Sequence, residues 1–183
     1  MSTLVIGDIH GCYAELQDLL DKAAITEDDQ ILALGDLFDR GPEPGDVFEF
    51  FRTVSRARST RGNHEAKHLD AIASGTLPPL SQLMTRWYLG SDYNDFVQYV
   101  ATLPLYVELP DALIVHAYFE PGLPPDQQRP DILLGQPSGE DHLKTTYDRP
   151  WFSLYDYDKP IIVGHRDYTS KGKIFNYADR VFG

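Results

Sequence analysis

The 183-residue sequence has a single cysteine, Cys12, and few basic residues: 16 Lys and Arg stand against 28 Asp and Glu, which gives a formal charge of −12. One cysteine excludes an internal disulfide, so the fold does not depend on an oxidising compartment. The sequence also lacks the clustered cations that bind the phosphate backbone of nucleic acid. We therefore expect no nucleic-acid partner, and an anionic substrate must be bound by a local site.

Long apolar runs are absent as well. No apolar stretch approaches the roughly 20 residues of a membrane-spanning helix, and the apolar run Leu4-Val5-Ile6 is too short for a signal peptide. We expect no membrane partner and a cytoplasmic protein. The composition is 42% hydrophobic and 12% aromatic, without repeats. It is typical of a globular protein, here predicted as one domain over residues 1–183 of undetermined oligomeric state.

Strand and helix patterns alternate in the amino-terminal half. Residues 3–6 and 30–34 have the pattern of buried strands, each followed by a helical repeat of apolar residues. The first repeat is Leu16, Leu19, Leu20 and Ala23, and the second begins near Asp46. This order predicts an α/β protein with a largely parallel sheet.

The later segments are predicted with less regular patterns. We expect a short strand ending near Arg61, a helix over residues 65–73, and a helical segment over residues 80–103 with Ser91 as a cap. A hairpin is predicted around Pro110-Asp111. Residues 119–150 show little periodicity and are predicted as a long functional loop. The remaining predicted strands are residues 161–163 and 173–177.

Carboxylates and histidines follow the predicted strands. They occur as Asp8 and His10, Asp36 and Asp39, Asn63 and His64, His116, and His165. The carboxyl ends of strands in an open sheet are where α/β proteins bind ligands. Each histidine alone is more often structural, but the joint pattern of oxygen and imidazole donors without thiolate predicts a metal site for Mn, Fe or Zn.

Three motifs, GDIHG, GDLFDRG and RGNHE, are followed by single histidines in IVHA and IVGH. Over nearly the whole chain this order resembles the phosphoprotein phosphatase branch of the calcineurin-like metallophosphoesterases. The resemblance implies a metallophosphoesterase fold, with a central β-sheet sandwich flanked by helices and a dinuclear metal site at the carboxyl ends of strands. It also implies which residues bind the two divalent ions: Asp8, His10 and Asp36 for one, and Asp36, Asn63, His116 and His165 for the other.

The resemblance implies hydrolysis by a hydroxide that bridges the two metal ions. His64 would protonate the leaving oxygen, Asp39 would orient that imidazole, and Arg40 would clamp a phosphate oxygen. Without the neighbouring motifs, Asp39 and Arg40 would be expected simply to pair with each other in a turn. Arg61 and Glu65 are predicted to support the loop and cap the helix.

Two further histidines receive structural interpretations. His68 lies four residues after His64 and could mimic a metal pair, yet it matches no family position. His142 lies in the predicted polar loop, where we expect it to be solvated.

The sequence departs from the family pattern on the substrate side. Tyr118 and Arg166 occupy positions where the family has smaller residues, and the chain is expected to lack the last strands of the fold. The second phosphate clamp is predicted at Arg149, with Arg129 as the other candidate. An Arg149 packed against Trp151 or paired with Asp148 is an equally acceptable interpretation.

The resulting prediction is a metal-dependent phosphatase that hydrolyses phosphate monoesters, similar to bacterial and phage-type serine/threonine phosphatases, with a phosphopeptide or a small molecule as substrate. A symmetrical diadenosine tetraphosphate hydrolase is the alternative within the same fold. A non-catalytic binding scaffold is a third reading, which we disfavour because His64 and every implied ligand are intact.

Overall fold

The computed structural model describes residues 2–167 and 173–183. The chain divides into two compact units, Met1–Leu103 and Pro104–Gly183. Each unit has its own β-sheet and its own cluster of buried apolar side chains. Among the described residues, no helix combines the length and the apolar character needed to cross a bilayer.

The first unit begins with the predicted alternation of strands and helices. Its elements are β1 (Thr3–Ile6), α1 (Tyr13–Lys22), β2 (Gln30–Ala33), α2 (Pro44–Thr53) and β3 (Ala57–Ser59). The three strands form a parallel sheet in the order β1-β2-β3. Ile6 pairs with Ala33 and Ala33 with Ser59, so the three strands end at nearly the same level. The predicted parallel sheet is confirmed.

Three more helices complete the first unit: α3 (Asn63–Ser74), α4 (Leu80–Leu89) and α5 (Tyr93–Thr102). The helical pattern predicted over residues 80–103 is confirmed as two helices, because Gly90 has a φ of 54° and turns the chain into the short 3₁₀ segment Gly90–Asp92 between them. Ser91 lies inside that turn and does not cap a helix. A residue without a Cβ adopts this conformation at little cost, and this separates α4 from α5.

Aromatic rings anchor the loop that follows β2. Phe38 lies in this loop and packs edge to face against Phe48 of α2 and Phe96 of α5, with ring centroids 6.3 and 4.9 Å away. Leu37 is fully buried beside it. Burial of such a side chain contributes about 1.5–3 kcal/mol, and aromatic pairs add about 0.5–1.5 kcal/mol. The polar residues on either side of Leu37 and Phe38 are therefore held in place by the core.

The second unit contains a mixed sheet. Its strands are β4 (Tyr106–Glu108), β5 (Leu113–Val115), β6 (Ile161–Ile162), β7 (Asn176–Tyr177) and β8 (Val181–Phe182), in the order β4-β5-β6-β8-β7. The predicted hairpin is confirmed by the antiparallel pairing of β4 with β5. β6 runs parallel to β5 and to β8. β8 was not predicted, since two residues show no periodicity, and β7 is shorter than predicted.

The long loop predicted over residues 119–150 is wrong. This segment contains two helices, α6 (Pro130–Leu133) and α7 (Pro137–Thr146), and the 3₁₀ turn Pro125–Gln127. A proline opens each helix, where its missing N–H needs no partner. Ile132, Leu133 and Leu143 are buried against the second sheet. Because the helices are short and rich in proline and polar residues, no helical period was visible in the sequence.

Candidate catalytic site

The parallel strands of the first unit deliver three predicted ligands to one edge of their sheet. Asp8 follows β1, Asp36 follows β2, and Asn63 opens α3 just after β3. The helix predicted from residue 65 thus begins earlier, with Asn63 and His64 in its first turn. The backbone N–H of His64 donates to Oδ1 of Asp36 at 2.9 Å. The helix terminus therefore orients the carboxylate that the sequence assigns to both metal ions.

Several of these positions have strained backbones. His10 and Asp36 both have a φ of 51°, and Arg40 has 86°, in the left-handed region that favours glycine. Each such backbone conformation costs of order 1–3 kcal/mol of folding free energy. Residues in these conformations cluster at functional sites. Gly62 allows the close approach, because a Cβ there would collide with Oδ1 of Asp36. Local packing thus opposes any other residue at position 62.

A buried carboxylate, Glu65, fastens the loop to helix α3. Its Oε2 accepts the backbone N–H groups of Asp36 at 2.8 Å and Gly62 at 2.9 Å, and its Oε1 accepts that of Leu37 at 2.8 Å. Glu65 is 1% exposed. The predicted role of Glu65 in supporting the loop is confirmed. Arg61 likewise binds backbone, donating from Nη2 to the carbonyl of Ala101 at 2.8 Å.

His10 and Asp36 form the centre of a set of metal-ligand atoms. Nε2 of His10 lies 3.8 Å from Oδ2 of Asp8 and 3.8 Å from Oδ2 of Asp36. His10, Asp36 and His64 offer ligand atoms that all lie within 4.8 Å of one another. Burial, reinforced by Arg40, lowers the pKa of His10 to about 4, whereas burial raises the pKa of the Asp36 carboxyl above its usual range. His10 is therefore neutral near pH 7, and Asp36 is a carboxylate that a cation would stabilise.

Asp39 is a second buried carboxylate, and it receives four side-chain donors. Nδ1 of His64 donates at 2.9 Å, Nε2 of His68 at 3.1 Å and Oγ1 of Thr85 at 2.5 Å, and Gln82 donates through Nε2. Desolvation alone would raise the pKa of Asp39, but the hydrogen bonds outweigh it and hold the pKa below its usual range. Asp39 therefore stays ionised and orients His64.

Sequence reasoning missed part of this support. Gln82 and Thr85 were not considered, although they lie three residues apart on the buried side of α4, where polar residues are unusual. His68 is not a metal-ligand mimic in the structure: its Nδ1 accepts from the hydroxyl of Tyr93 at 3.1 Å, on the other side of the ring from Asp39. Inward-facing polar residues on a helix were the signal that could have identified Gln82 and Thr85.

Arg40 lies between two imidazoles. Its Nη1 donates to Nε2 of His10 and its Nη2 to Nε2 of His64, both at 2.9 Å. The turn pairing of Asp39 with Arg40 is therefore replaced by contacts of each residue with the histidines. Because the guanidinium is planar, the same two N–H groups can bind two oxygens of a phosphate. The arrangement places the predicted phosphate clamp, Arg40, beside the imidazole predicted to transfer a proton.

The second unit holds the other two predicted histidines. His116 follows β5 and His165 follows β6, and their ring centroids lie 5.1 Å apart. The N–H of Gly164 donates to the carbonyl of His116 at 2.8 Å, which continues the parallel pairing. His165 has a φ of 66°. A Cβ at Gly135 would lie 2.7 Å from Nε2 of His165, so a glycine there leaves room for the imidazole.

The predicted arginine clamps have different surroundings. Arg149 has a 63% exposed side chain, and its Nε lies 3.8 Å from Oδ1 of Asp148. It lines a cavity with Trp151. Arg129 instead binds Asp131 through two hydrogen bonds of 3.1 and 2.9 Å.

Tyr118, Arg166 and His142 also have defined partners. Arg166 donates to the hydroxyl of Tyr118 at 3.0 Å and to Glu140 at 2.7 Å. The prediction that His142 is solvated in a loop is wrong, since His142 belongs to α7 and binds Glu120 at 2.6 Å. Tyr118, Arg166 and His142 therefore all bind partners within the second unit.

Comparisons with known proteins agree with these motifs. The calcineurin-like phosphoesterase family model matches residues 1–181. A symmetrical bis(5′-nucleosyl)-tetraphosphatase of Erwinia tasmaniensis is 39% identical over 112 residues, which cover 57% of this chain and 39% of that protein. Matches to two further curated proteins of that name also cover less than half of their length.

Solved structures share the fold. A crystal structure provisionally assigned to a diadenosine tetraphosphatase has a TM-score of 0.77 at 25% identity and covers 99% of this chain and 81% of that one. A serine/threonine phosphatase of Saccharomyces cerevisiae, similar to human PP5, has a TM-score of 0.53 at 19% identity, covering 99% of this chain and 54% of that one. The predicted metallophosphoesterase fold, mixed α/β with two sheets, is confirmed.

Proposed function

The chain belongs to the calcineurin-like phosphoesterase family, and from that premise we propose that it is a metal-dependent hydrolase of dinucleoside tetraphosphates. The curated relatives named above are symmetrical bis(5′-nucleosyl)-tetraphosphatases. They favour the alternative drawn from the sequence over the phosphate monoester that the motifs first suggested. This chain spans less than half the length of those relatives, so we propose the substrate on the combined support of the relatives and the site.

The observation that carries the proposal is the cluster of His10, Asp36, Asp39, Arg40 and His64 in the first unit. Neutral imidazole and buried carboxylate are the donors that a divalent transition metal prefers. Burial raises the pKa of the Asp36 carboxyl, so a bound cation would stabilise its charged form. The donor set therefore fits a metal ion, with Mn, Fe or Zn as the candidates.

We assign His10 and Asp36, together with Asp8 and Asn63, to metal binding in the first unit. His116 and His165 of the second unit keep their predicted assignment as further ligands. When bound, the metal ions would lower the pKa of a water molecule and neutralise phosphate oxygens. The chain's own contribution is to place the donors at one edge of the sheet.

His64 and Arg40 act on the substrate in this proposal. Nδ1–H of His64 is directed at Asp39, so Nε2 is the atom that can carry a proton to the leaving oxygen. Ionised Asp39 stabilises the protonated imidazole. Arg40 binds a phosphate oxygen with the N–H groups that now contact the two histidines. Arg149 remains the predicted second clamp.

Hydrolysis of diadenosine tetraphosphate is the direct test. Symmetrical cleavage breaks one P–O bond of the central bridge and adds one water molecule, so two molecules of ADP form from each substrate. Metal-loaded protein should produce ADP as the first product by anion-exchange chromatography. In H₂¹⁸O, one of the two ADP molecules from each cleavage should carry the label. ATP and AMP as first products, or no turnover of this substrate, would overturn the proposal.

Phosphate monoesters are the second candidate, and one observation favours them. A positioned acid contributes most when the leaving oxygen is strongly basic, as in a serine alkoxide, and the His64–Asp39 pair is fully built. The same assay therefore includes a phosphoserine peptide and p-nitrophenyl phosphate. Turnover of the peptide with none of diadenosine tetraphosphate would support the second candidate.

A further inference from the structure

A cavity of about 480 Å³ lies beside Arg40 in the first unit, between the loop after β2 and helix α4. Its walls include Arg40 and Pro42 from the loop, and Leu80, Met84 and Tyr88 from the helix. This volume lies within the range of about 300–1,000 Å³ that is usual for small-molecule sites. The cavity adjoins the guanidinium whose N–H groups contact His10 and His64.

Helix α4 turns its apolar residues outward on this side. Leu80 is 74% exposed, Met84 45% and Tyr88 50%, and their spacing of four residues places them in one stripe. The buried side of the same helix carries Gln82 and Thr85. Single exposed apolar residues are common, but a stripe lining a cavity beside a cation indicates a binding surface.

The distribution of charge in the cavity indicates which kind of ligand it can bind. Among the cavity residues that the structure describes, Arg40 alone carries a charge, and helix α4 contributes the ring of Tyr88 and the side chains of Leu80 and Met84. A ligand that suits both parts has an anionic group at one end and a flat, weakly polar group at the other. A nucleoside phosphate has this form, whereas inorganic phosphate leaves the apolar wall exposed to water.

Resting on the proposed function, we propose that this cavity binds one nucleobase of the dinucleoside substrate, with the base stacked on Tyr88 and its phosphates at Arg40. Leu80 and Met84 supply the apolar wall beside the ring. Trp87 packs edge to face against Tyr88, with ring centroids 5.1 Å apart, and supports the orientation of the stacking ring. Every nucleobase has a flat face that can stack on an aromatic side chain. The site therefore selects a nucleoside rather than one particular base.

Calorimetric titration of the metal-loaded protein tests the site without catalysis. ADP is the probe, and pyrophosphate is its base-free counterpart. Stacking of one base on an aromatic ring corresponds to about 5- to 150-fold in affinity. Tyr88→Ala should therefore raise the Kd for ADP by that factor and leave the Kd for pyrophosphate unchanged, whereas Tyr88→Phe should bind both like the wild type. Because Tyr88 is half exposed, neither variant is expected to unfold the unit.

A matched pair of leucines provides the control. Leu80 lines the cavity and is 74% exposed, whereas Leu77 is 80% exposed and lies outside it. Leu80→Ala should weaken ADP binding and Leu77→Ala should not. Equal effects of the two leucine variants, or equal changes in the Kd for ADP and for pyrophosphate in Tyr88→Ala, would overturn the proposal.

Other occupants give other results. If the stripe binds an apolar side chain of a phosphopeptide, Tyr88→Ala raises KM for the peptide and leaves ADP binding unchanged. If the stripe joins two copies of this chain, sedimentation shows a dimer that Tyr88→Ala dissociates. Either result overturns the base-binding assignment. If the wild-type protein binds ADP through Tyr88 but does not cleave diadenosine tetraphosphate, the proposed function is wrong and the nucleobase site is still supported.

Discussion

Glu65→Ala should destabilise the first unit by several kcal/mol, because Glu65 accepts three backbone N–H groups of buried residues. Those groups belong to Asp36, Leu37 and Gly62, all in buried residues. A buried donor left without an acceptor costs about 1–3 kcal/mol, so loss of the carboxylate costs about 3–9 kcal/mol in total. This range is comparable with the whole stability of a small domain, which is about 5–15 kcal/mol.

Glu65→Gln should cost less, since the amide oxygen can still accept the N–H groups of Asp36 and Gly62. Only the N–H of Leu37 would then face an amide that cannot accept it, at a cost of about 1–3 kcal/mol. Urea unfolding followed by far-UV circular dichroism measures the free energy of unfolding of each variant. Glu27→Ala is the control, because Glu27 is exposed and should change stability by less than about 0.5 kcal/mol.

The order of the three variants decides whether the reasoning is correct. We expect Glu27→Ala to match the wild type, Glu65→Gln to be intermediate, and Glu65→Ala to be the least stable or unfolded in buffer. A Glu65→Ala protein within about 1 kcal/mol of the wild type would show that water replaces the carboxylate, and the estimate from unsatisfied donors would be refuted.

Asp36→Asn should lower the content of both metal ions together, as measured by elemental analysis of purified protein, and full occupancy would contradict the shared carboxylate. His64→Asn should reduce turnover of alkyl phosphates by about 10²–10⁴-fold and that of p-nitrophenyl phosphate by less, with the metal content unchanged; loss of metal would instead place His64 among the ligands. Hydrogen bonds from Thr26 and Ser2 hold the pKa of Asp29 below its usual range, so its stabilising effect is present at neutral pH and is lost in acid. The difference in unfolding free energy between wild type and Asp29→Asn should therefore shrink as the pH falls below about 4, and a constant difference would count against it. Long polynucleotides should be poor substrates, and a steep fall of their kcat/KM with added salt would show a basic surface that the sequence lacks.

The elements predicted from the sequence were those with a strong local pattern. The strands before Asp8 and Asp36 and the helix with Leu16 are long enough to show their period, and the hairpin is marked by Pro110-Asp111. Helices α6 and α7 were missed because their first turns contain proline and polar residues whose burial depends on contacts distant in sequence. The cap predicted at Ser91 lies next to the actual break at Gly90, but a three-residue 3₁₀ turn has no periodicity from which its bounds could be predicted.

The candidate site was predictable where a residue follows a strand directly. Asp36 and His10 could be found because the end of a strand determines where their side chains lie. Gln82 and Thr85 could not, since their contact with Asp39 spans more than 40 positions and depends on how α4 packs. The cavity beside Arg40 could not be predicted for the same reason. Leu80, Met84 and Tyr88 have the sequence pattern of a buried helix face, but in the folded unit these side chains are exposed.

Helix α4 also has an evolutionary consequence. Its buried side supports the His64–Asp39 pair through Gln82 and Thr85, while its exposed stripe faces the proposed nucleobase. Under that assignment, codons 80, 84 and 88 can drift towards a different nucleoside while the hydrolytic apparatus is inherited intact. Under the proposed roles of Asp39 and His64, codons 82 and 85 have no such freedom, because their side chains donate to Asp39. A library confined to the three outer codons would therefore explore new substrates with few inactive members.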